Sequence, residues 1–208
     1  MMATGLIERA MGESRPLRNG VFVAIVGPSG SGKDTILSYA RERVQHRPEF
    51  HFVRRVVTRA AAGDAEEHDT LDERAFAAAL ESGAFSLHWD AHGLRYALPK
   101  SVDHHVENGS VVVANVSRSL LRDLGSIYAN VTVVHLSASP EVLARRLAMR
   151  GREDASDIEE RLRRSAKAVA ELDAAVMLDN SGPVEIAGNR FIAILEKAAA
   201  FAAICEQI

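Results

Sequence analysis

Nine consecutive residues, Gly27, Pro28, Ser29, Gly30, Ser31, Gly32, Lys33, Asp34 and Thr35, carry the strongest chemical signal in this chain of 208 residues. They fit G-x-x-x-x-G-K, a loop whose backbone curls so that its N–H groups face phosphate oxygens. Such a curl needs positions free of side-chain bulk, which Gly27, Gly30 and Gly32 supply. The helix expected from Lys33 onward adds the positive end of its dipole, and Lys33 itself brings a cation to the transferring phosphates. The chemistry is therefore phosphoryl transfer from a nucleoside triphosphate, ATP being the expected co-substrate. The bland alternative, a glycine-rich turn that only joins strand to helix, is disfavoured by the spacing and the flanks.

Asp34 stands where a Ser or Thr hydroxyl would normally follow the lysine and touch Mg2+, with Thr35 next. A carboxylate beside a triphosphate is repelled unless a cation lies between them, so Asp34 and Thr35 are the expected metal positions, directly or through water. The alternative is an Asp34 that merely stabilises the first turn of the helix.

Positioning this loop requires a strand before it and a helix after it. Residues 21–26 form a short β-branched run, and 33–44 show helical spacing. Further strands are expected at 52–57, 111–116, 131–136 and 175–178, with a short hairpin-like excursion formed by 84–89 and 94–98. Helices are expected at 71–81, 100–107, 117–124, 140–149, 157–172 and 183–204, and a loop at 63–69. The alternation predicts an α/β P-loop fold: a parallel sheet flanked by helices, with ligand loops at the carboxyl ends of the strands. Residues 1–19 read as a loose leader and 20–208 as one domain.

Composition narrows the partners. A formal net charge of -3 gives no global attraction to nucleic acid or to an anionic membrane. The longest strand-like apolar runs fall far below the ~20 residues that cross a bilayer. A lone cysteine, Cys205, permits no intrachain disulfide, which suits a cytoplasmic protein. The expected partner is a small phosphorylated molecule, and the chain is expected to act as a monomer or homodimer.

Downstream, V-V-T-R at 56–59, an acidic loop and G-A-F-S-L-H-W-D-A-H-G-L-R-Y-A-L-P at 83–99 follow the order of features in guanylate kinase, which this chain resembles from about residue 21 to 180. Its guanine-reading glutamate falls on Leu87 and its small hydroxyl residue on Leu98; its second arginine falls on Ala62 and its phosphate-binding tyrosine on His68. A leucine leaves a purine edge unpaired, at about 1–3 kcal/mol per lost group, so guanine should be rejected.

G-P-S-G-S-G-K-D, V-T-R at 57–59, Glu66-Glu67-His68, L-H-W-D-A-H-G-L at 87–94, N-V-S-R at 115–118 and R-G-R-E-D-A-S at 150–156 are similar to the ribose 1,5-bisphosphate phosphokinase family, associated with phosphonate breakdown. The resemblance accounts for Asp34 in the loop. It implies transfer of the ATP γ-phosphoryl group to the 1-phosphate of ribose 1,5-bisphosphate, giving phosphoribosyl pyrophosphate.

The acceptor region, about 50–100, and its surroundings offer anion-binding groups suited to such a substrate: Arg55, Arg59, His68, Arg95, Tyr96, Asn115 and Arg118. Solvated-surface readings compete for Arg55 and Arg95, and a plain loop position for His68. Residues 146–160 resemble the arginine-rich lid of nucleoside monophosphate kinases, with Arg146, Arg150 and Arg152 neutralising transferring charge while the lid excludes water. Asn180, after the last expected strand, is expected near the adenine. An acceptor phosphate with a second pKa of about 6 is already nucleophilic at neutral pH, so no general base is needed. Two other readings stand beside this one: a nucleoside monophosphate kinase, and a non-catalytic binding module that keeps the fold.

Overall fold

The computed structural model describes residues 16–58, 68–91, 93–150 and 175–205. Strand β1 (Val21–Val26) is buried along its whole length, and it sorts its side chains by alternation. Val21, Val23 and Ile25 enter one apolar cluster, and Phe22, Ala24 and Val26 the other. A strand buried on both faces belongs in the middle of a helix-covered parallel sheet. It is flanked there by β7 (Val111–Asn115) and β8 (Val131–Ser137), with β2 (Phe50–Phe52) and β9 (Val176–Asp179) at the edges, and every pairing is parallel.

Helix α1 (Lys33–Val44) buries Ile36, Ala40 and Val44, one stripe at four-residue spacing, against the first cluster. The long terminal helix, called α6 here (Val184–Cys205), adds Phe191 and Leu195 to the same face. The opposite face is covered by α3 (Ser101–Glu107) and α4 (Leu121–Ile127), the latter preceded by a 3-10 turn over Arg118–Leu120. Helix α5 (Pro140–Arg150) follows β8. No helix among the described residues is long and apolar enough to cross a membrane.

The expected strand at 52–57 divides. Its first part pairs with β7 in the main sheet, while β3 (Arg55–Val57) pairs with a second sheet of order β4-β3-β6-β5. That sheet also contains β4 (His68–Thr70), β5 (Phe85–Ala91) and β6 (Leu94–Pro99). His68 and Asp69, expected in a loop, are thus strand residues, because Arg55 and Val56 offer them a parallel edge. The hairpin expected at 84–98 is present as the antiparallel pair β5–β6, and α2 (Glu73–Glu81) packs Phe76 against it, with Asp72 as N-cap.

A buried polar hub joins the two sheets. Asp103 of α3 accepts hydrogen bonds from Ser86 of β5 and from Tyr128 at 2.9 Å, and pairs with Lys100 at 2.8 Å. The Tyr128 ring stacks on Phe22 at 4.6 Å. At the N-terminal end, Leu17 exchanges backbone hydrogen bonds with Ile127 and Ala129 and packs on the second cluster. Leu17, expected in the leader, is thus an apolar side chain with a core surface to cover. The helix expected at 157–172 lies outside the described residues.

Candidate active site

The phosphate loop leaves β1 at Gly27 and enters α1 at Lys33, at the carboxyl edge of the parallel sheet. Gly32 has φ +89°, and a Cβ there would meet Asn180 Nδ2; Gly27 has φ +154°, and a Cβ there would meet the Leu136 carbonyl. Both positions thus require glycine by conformation and by space. Ile36 N–H donates to the Gly32 carbonyl at 3.0 Å, which starts the helix and leaves the amides of its first turn without intrahelical partners. Lys33 Nζ donates to the carbonyls of Gly27 at 2.9 Å and Pro28 at 3.0 Å, so the ammonium arches back over the loop. Ser31 is buried with its hydroxyl unpartnered. This is a preformed anion cradle that fits a triphosphate.

Asn180 and Arg146 brace the loop. Asn180 Nδ2 donates to the Ser31 carbonyl at 2.7 Å, and Arg146 donates to the carbonyls of Gly30 and Ser31, each at 3.4 Å, and of Asn180 at 3.0 Å. Arg146, expected to neutralise transferring charge from a lid, has its guanidinium on two loop carbonyls and on that of Asn180. Asn180, expected near the adenine, underlies the loop. Arg150 ends α5, while its side chain, like Arg152 and Arg59, lies outside the described residues.

Asp34 lies within 3.4 Å of the Asn115 amide, which donates to it from the end of β7. The Asp34 carboxylate also borders a pocket of about 90 Å³ walled by Arg41, Arg54 and Phe52. It is thus turned toward the edge occupied by β2 and β7, where no other carboxylate among the described residues lines the pocket. Thr35 follows it in the first turn of α1. One carboxylate and one hydroxyl beside a phosphate cradle fit a cation whose remaining ligands are phosphate oxygens and water.

The second sheet separates the remaining candidates by face. Arg55, His68 and Tyr96 share one side with Trp89; Trp89 stacks on Tyr96 at 5.4 Å, and the Arg55 guanidinium lies 5.5 Å from the Tyr96 ring. Arg95 alternates to the other side. It lies over Phe76 at 4.5 Å with Glu73 and Asp90 near it, on the face opposite Tyr96. Leu87 and Leu98 are register partners and fully buried in the cluster shared with the main sheet.

Arg118 opens the 3-10 turn after β7, half-buried, with Nη1 enclosed and unpartnered; burial draws its guanidinium below the usual value. The sequence reading passes over His135, which lies inside the apolar run of β8. A single imidazole in a strand of mostly aliphatic residues is the signal that marks it. It is fully buried with neither ring nitrogen hydrogen-bonded, and burial, then the Arg118 and Lys33 charges, hold it below the usual histidine range.

Known proteins resemble this chain in sequence and in fold. The AAA domain family model matches residues 23–167. Guanylate kinase from Anaplasma phagocytophilum superposes with a TM-score of 0.64, 19% identity, and coverage of 88% of this chain and 87% of that one, a likeness of fold. A ribose 1,5-bisphosphate phosphokinase PhnN from Chelativorans sp. is 46% identical over the full length of both chains. The Brucella melitensis protein of the same description is 49% identical over 83% of this chain and 90% of its own. The Agrobacterium fabrum one is 46% identical over 86% and 97%. Fold and loop together define a P-loop phosphotransferase of guanylate kinase-like architecture that uses ATP. Within that class, the chain belongs to the ribose 1,5-bisphosphate phosphokinase family.

Proposed function

We propose that this chain transfers the γ-phosphoryl group of ATP to the 1-phosphate of ribose 1,5-bisphosphate, giving 5-phospho-α-D-ribose 1-diphosphate, as a step in phosphonate breakdown. One observation carries the reading beyond the names of the relatives. A complete phosphate cradle is joined to a second sheet in which the positions that read guanine in the resembling kinases are a buried leucine pair, Leu87 and Leu98. The donor half of a nucleotide kinase is kept, and those two positions offer a purine edge nothing to pair with.

The loop amides and the α1 dipole hold the donor phosphates, and Lys33, released from the Gly27 and Pro28 carbonyls, follows the charge onto the transferring group. Arg146 and Asn180 keep the loop in its curled form from below. Asp34, with Thr35, would hold Mg2+ directly or through water. When bound, that ion cancels charge on the β- and γ-phosphates, and it is what makes an aspartate tolerable beside them. Arg55, His68, Tyr96, Asn115 and Arg118 stand on the acceptor side, where the phosphates of a small sugar need several cations and no base-reading group. The acceptor phosphate attacks without a general base.

The deciding assay mixes protein, MgATP and ribose 1,5-bisphosphate and follows the diphosphate product by 31P NMR. Product formation with ribose 1,5-bisphosphate and none with GMP is the expected result. Turnover of GMP, or of no acceptor other than water, would overturn the reading.

A further inference from the structure

His135 has no place in the mechanism above, yet its position is unusual. On β8 it is the register partner of Val26, the last residue before the phosphate loop, and of Met177 on β9. Alternation puts it on the face of Val131 and Val133, which pack on the cluster containing Val26, Val116 and Leu120. Val116 and Leu120 bracket Arg118, so the imidazole and the guanidinium share one corner of the molecule, between the phosphate loop and the end of β7. Lys33 lies near enough for its charge to act on the ring.

That corner is short of partners. Nδ1 and Nε2 of His135 and Nη1 of Arg118 are all buried without a hydrogen bond. A buried polar group left unpaired is costly, so three together in one corner call for a ligand that completes them. Among the described residues no carboxylate pairs with Arg118, and burial is what lowers its guanidinium. The ligand that suits this corner is therefore an anion rather than a cation.

We propose that His135 and Arg118 form a buried phosphate subsite beside Lys33, in which a neutral imidazole N–H and the guanidinium donate to one phosphate of the acceptor while the bare imidazole nitrogen accepts from a sugar hydroxyl. The sugar part rests on the function proposed above; the phosphate part does not. A neutral imidazole has one donor and one acceptor, and a phosphorylated sugar offers the complement of both within one molecule. Neutrality also matters chemically. An imidazolium would hand its proton to the phosphate, whereas an N–H donor holds the oxygen and leaves its lone pair free to attack.

The test uses the full chain with 15N-labelled histidine, the His135 ring signals being assigned by their loss in His135→Gln. Inorganic phosphate is titrated first, then ribose 1,5-bisphosphate. Both should shift the His135 signals while the pattern of a neutral ring persists. His135→Phe should weaken ribose 1,5-bisphosphate binding about 10- to 100-fold, with affinity for a non-hydrolysable ATP analogue unchanged, and His135→Gln should restore most of the loss. His135 signals unmoved by both ligands overturn the subsite, and this readout stands even where His135→Phe does not fold. Equal losses of acceptor and nucleotide affinity in a folded His135→Phe also overturn it, since that is the mark of a structural role. If phosphate moves His135 but ribose 1,5-bisphosphate is neither bound nor turned over, the functional reading fails and the phosphate subsite stands.

Discussion

Asn180 donates its side-chain amide to the Ser31 carbonyl at 2.7 Å, which ties the residue after the last strand of the sheet to a phosphate loop 149 positions earlier in the chain. The loop is therefore held from below by a distant element, and Gly32 is the residue that lets the two approach.

Gly32→Ala should break that arrangement. A side chain at φ +89° is strained by about 1–2 kcal/mol, and its Cβ would collide with the Asn180 amide. Binding of a fluorescent ATP analogue should weaken at least about tenfold while far-UV circular dichroism stays native. Asn180→Ala, which removes the brace and the obstacle together, should make a following Gly32→Ala less costly. Additive losses in that double-mutant cycle would show that the two residues do not interact.

Lys33→Ala should retain the fold, because the Gly27 and Pro28 carbonyls that accept from the ammonium can be satisfied by water instead. Turnover should fall by about 100- to 1000-fold or more, the range for removing one preorganised charge from developing negative charge. Steady-state kinetics decides it, and a kcat close to wild type would remove Lys33 from the transfer step.

Leu87→Glu restores the residue type that reads guanine in the resembling kinases, yet it should not create a guanylate kinase. Leu87 is 1% exposed and faces Leu98 in a closed apolar cluster, so the new carboxylate would be buried without a partner. Chemical denaturation should show a loss of more than about 3 kcal/mol, and GMP turnover should remain absent. A stable variant that phosphorylates GMP would mean that this surface opens to ligand.

Acid should destabilise the protein in two stages. Burial lowers His51, with His105 stacked on it, and lowers His135, so both lie below 6.5 in the folded state. The unfolded chain then binds more protons, and this contribution is complete above about pH 6.5 and declines as pH falls through the folded values. Burial pushes Asp103 up, but hydrogen bonds from Lys100, Ser86 and Tyr128 outweigh it and hold the carboxyl below 3.8. Its contribution is complete above about pH 4 and disappears as pH falls through its folded value. Urea midpoints from pH 8 to 3 should show both limbs. Asp103→Asn should lose about 1.5–3 kcal/mol at neutral pH together with the acid limb, and an unchanged limb would place it elsewhere.

The donor half of the site is legible in the sequence because its causes are local. A β-branched run, three glycines at fixed spacing and a lysine at the head of a periodic helix set backbone angles and amide directions within nine residues, so no distant contact is needed to infer an anion cradle. The leucines at 87 and 98 are read from the sequence as expected losses of guanine contact, and their packing as a pair comes from the structure. Faces, registers and partners across sheets were decided by tertiary structure alone. Only strand pairing turns Arg95 toward Phe76 and away from Tyr96, and only an available parallel edge makes His68 a strand residue. Only the crossing of β8 beside β1 brings His135 to the corner of Arg118 and Lys33. Sequence spacing fixes what neighbours along the chain can do, while the meeting of residues 17 or 149 positions apart depends on which strands pair and which faces are buried, and those are settled by the whole core together.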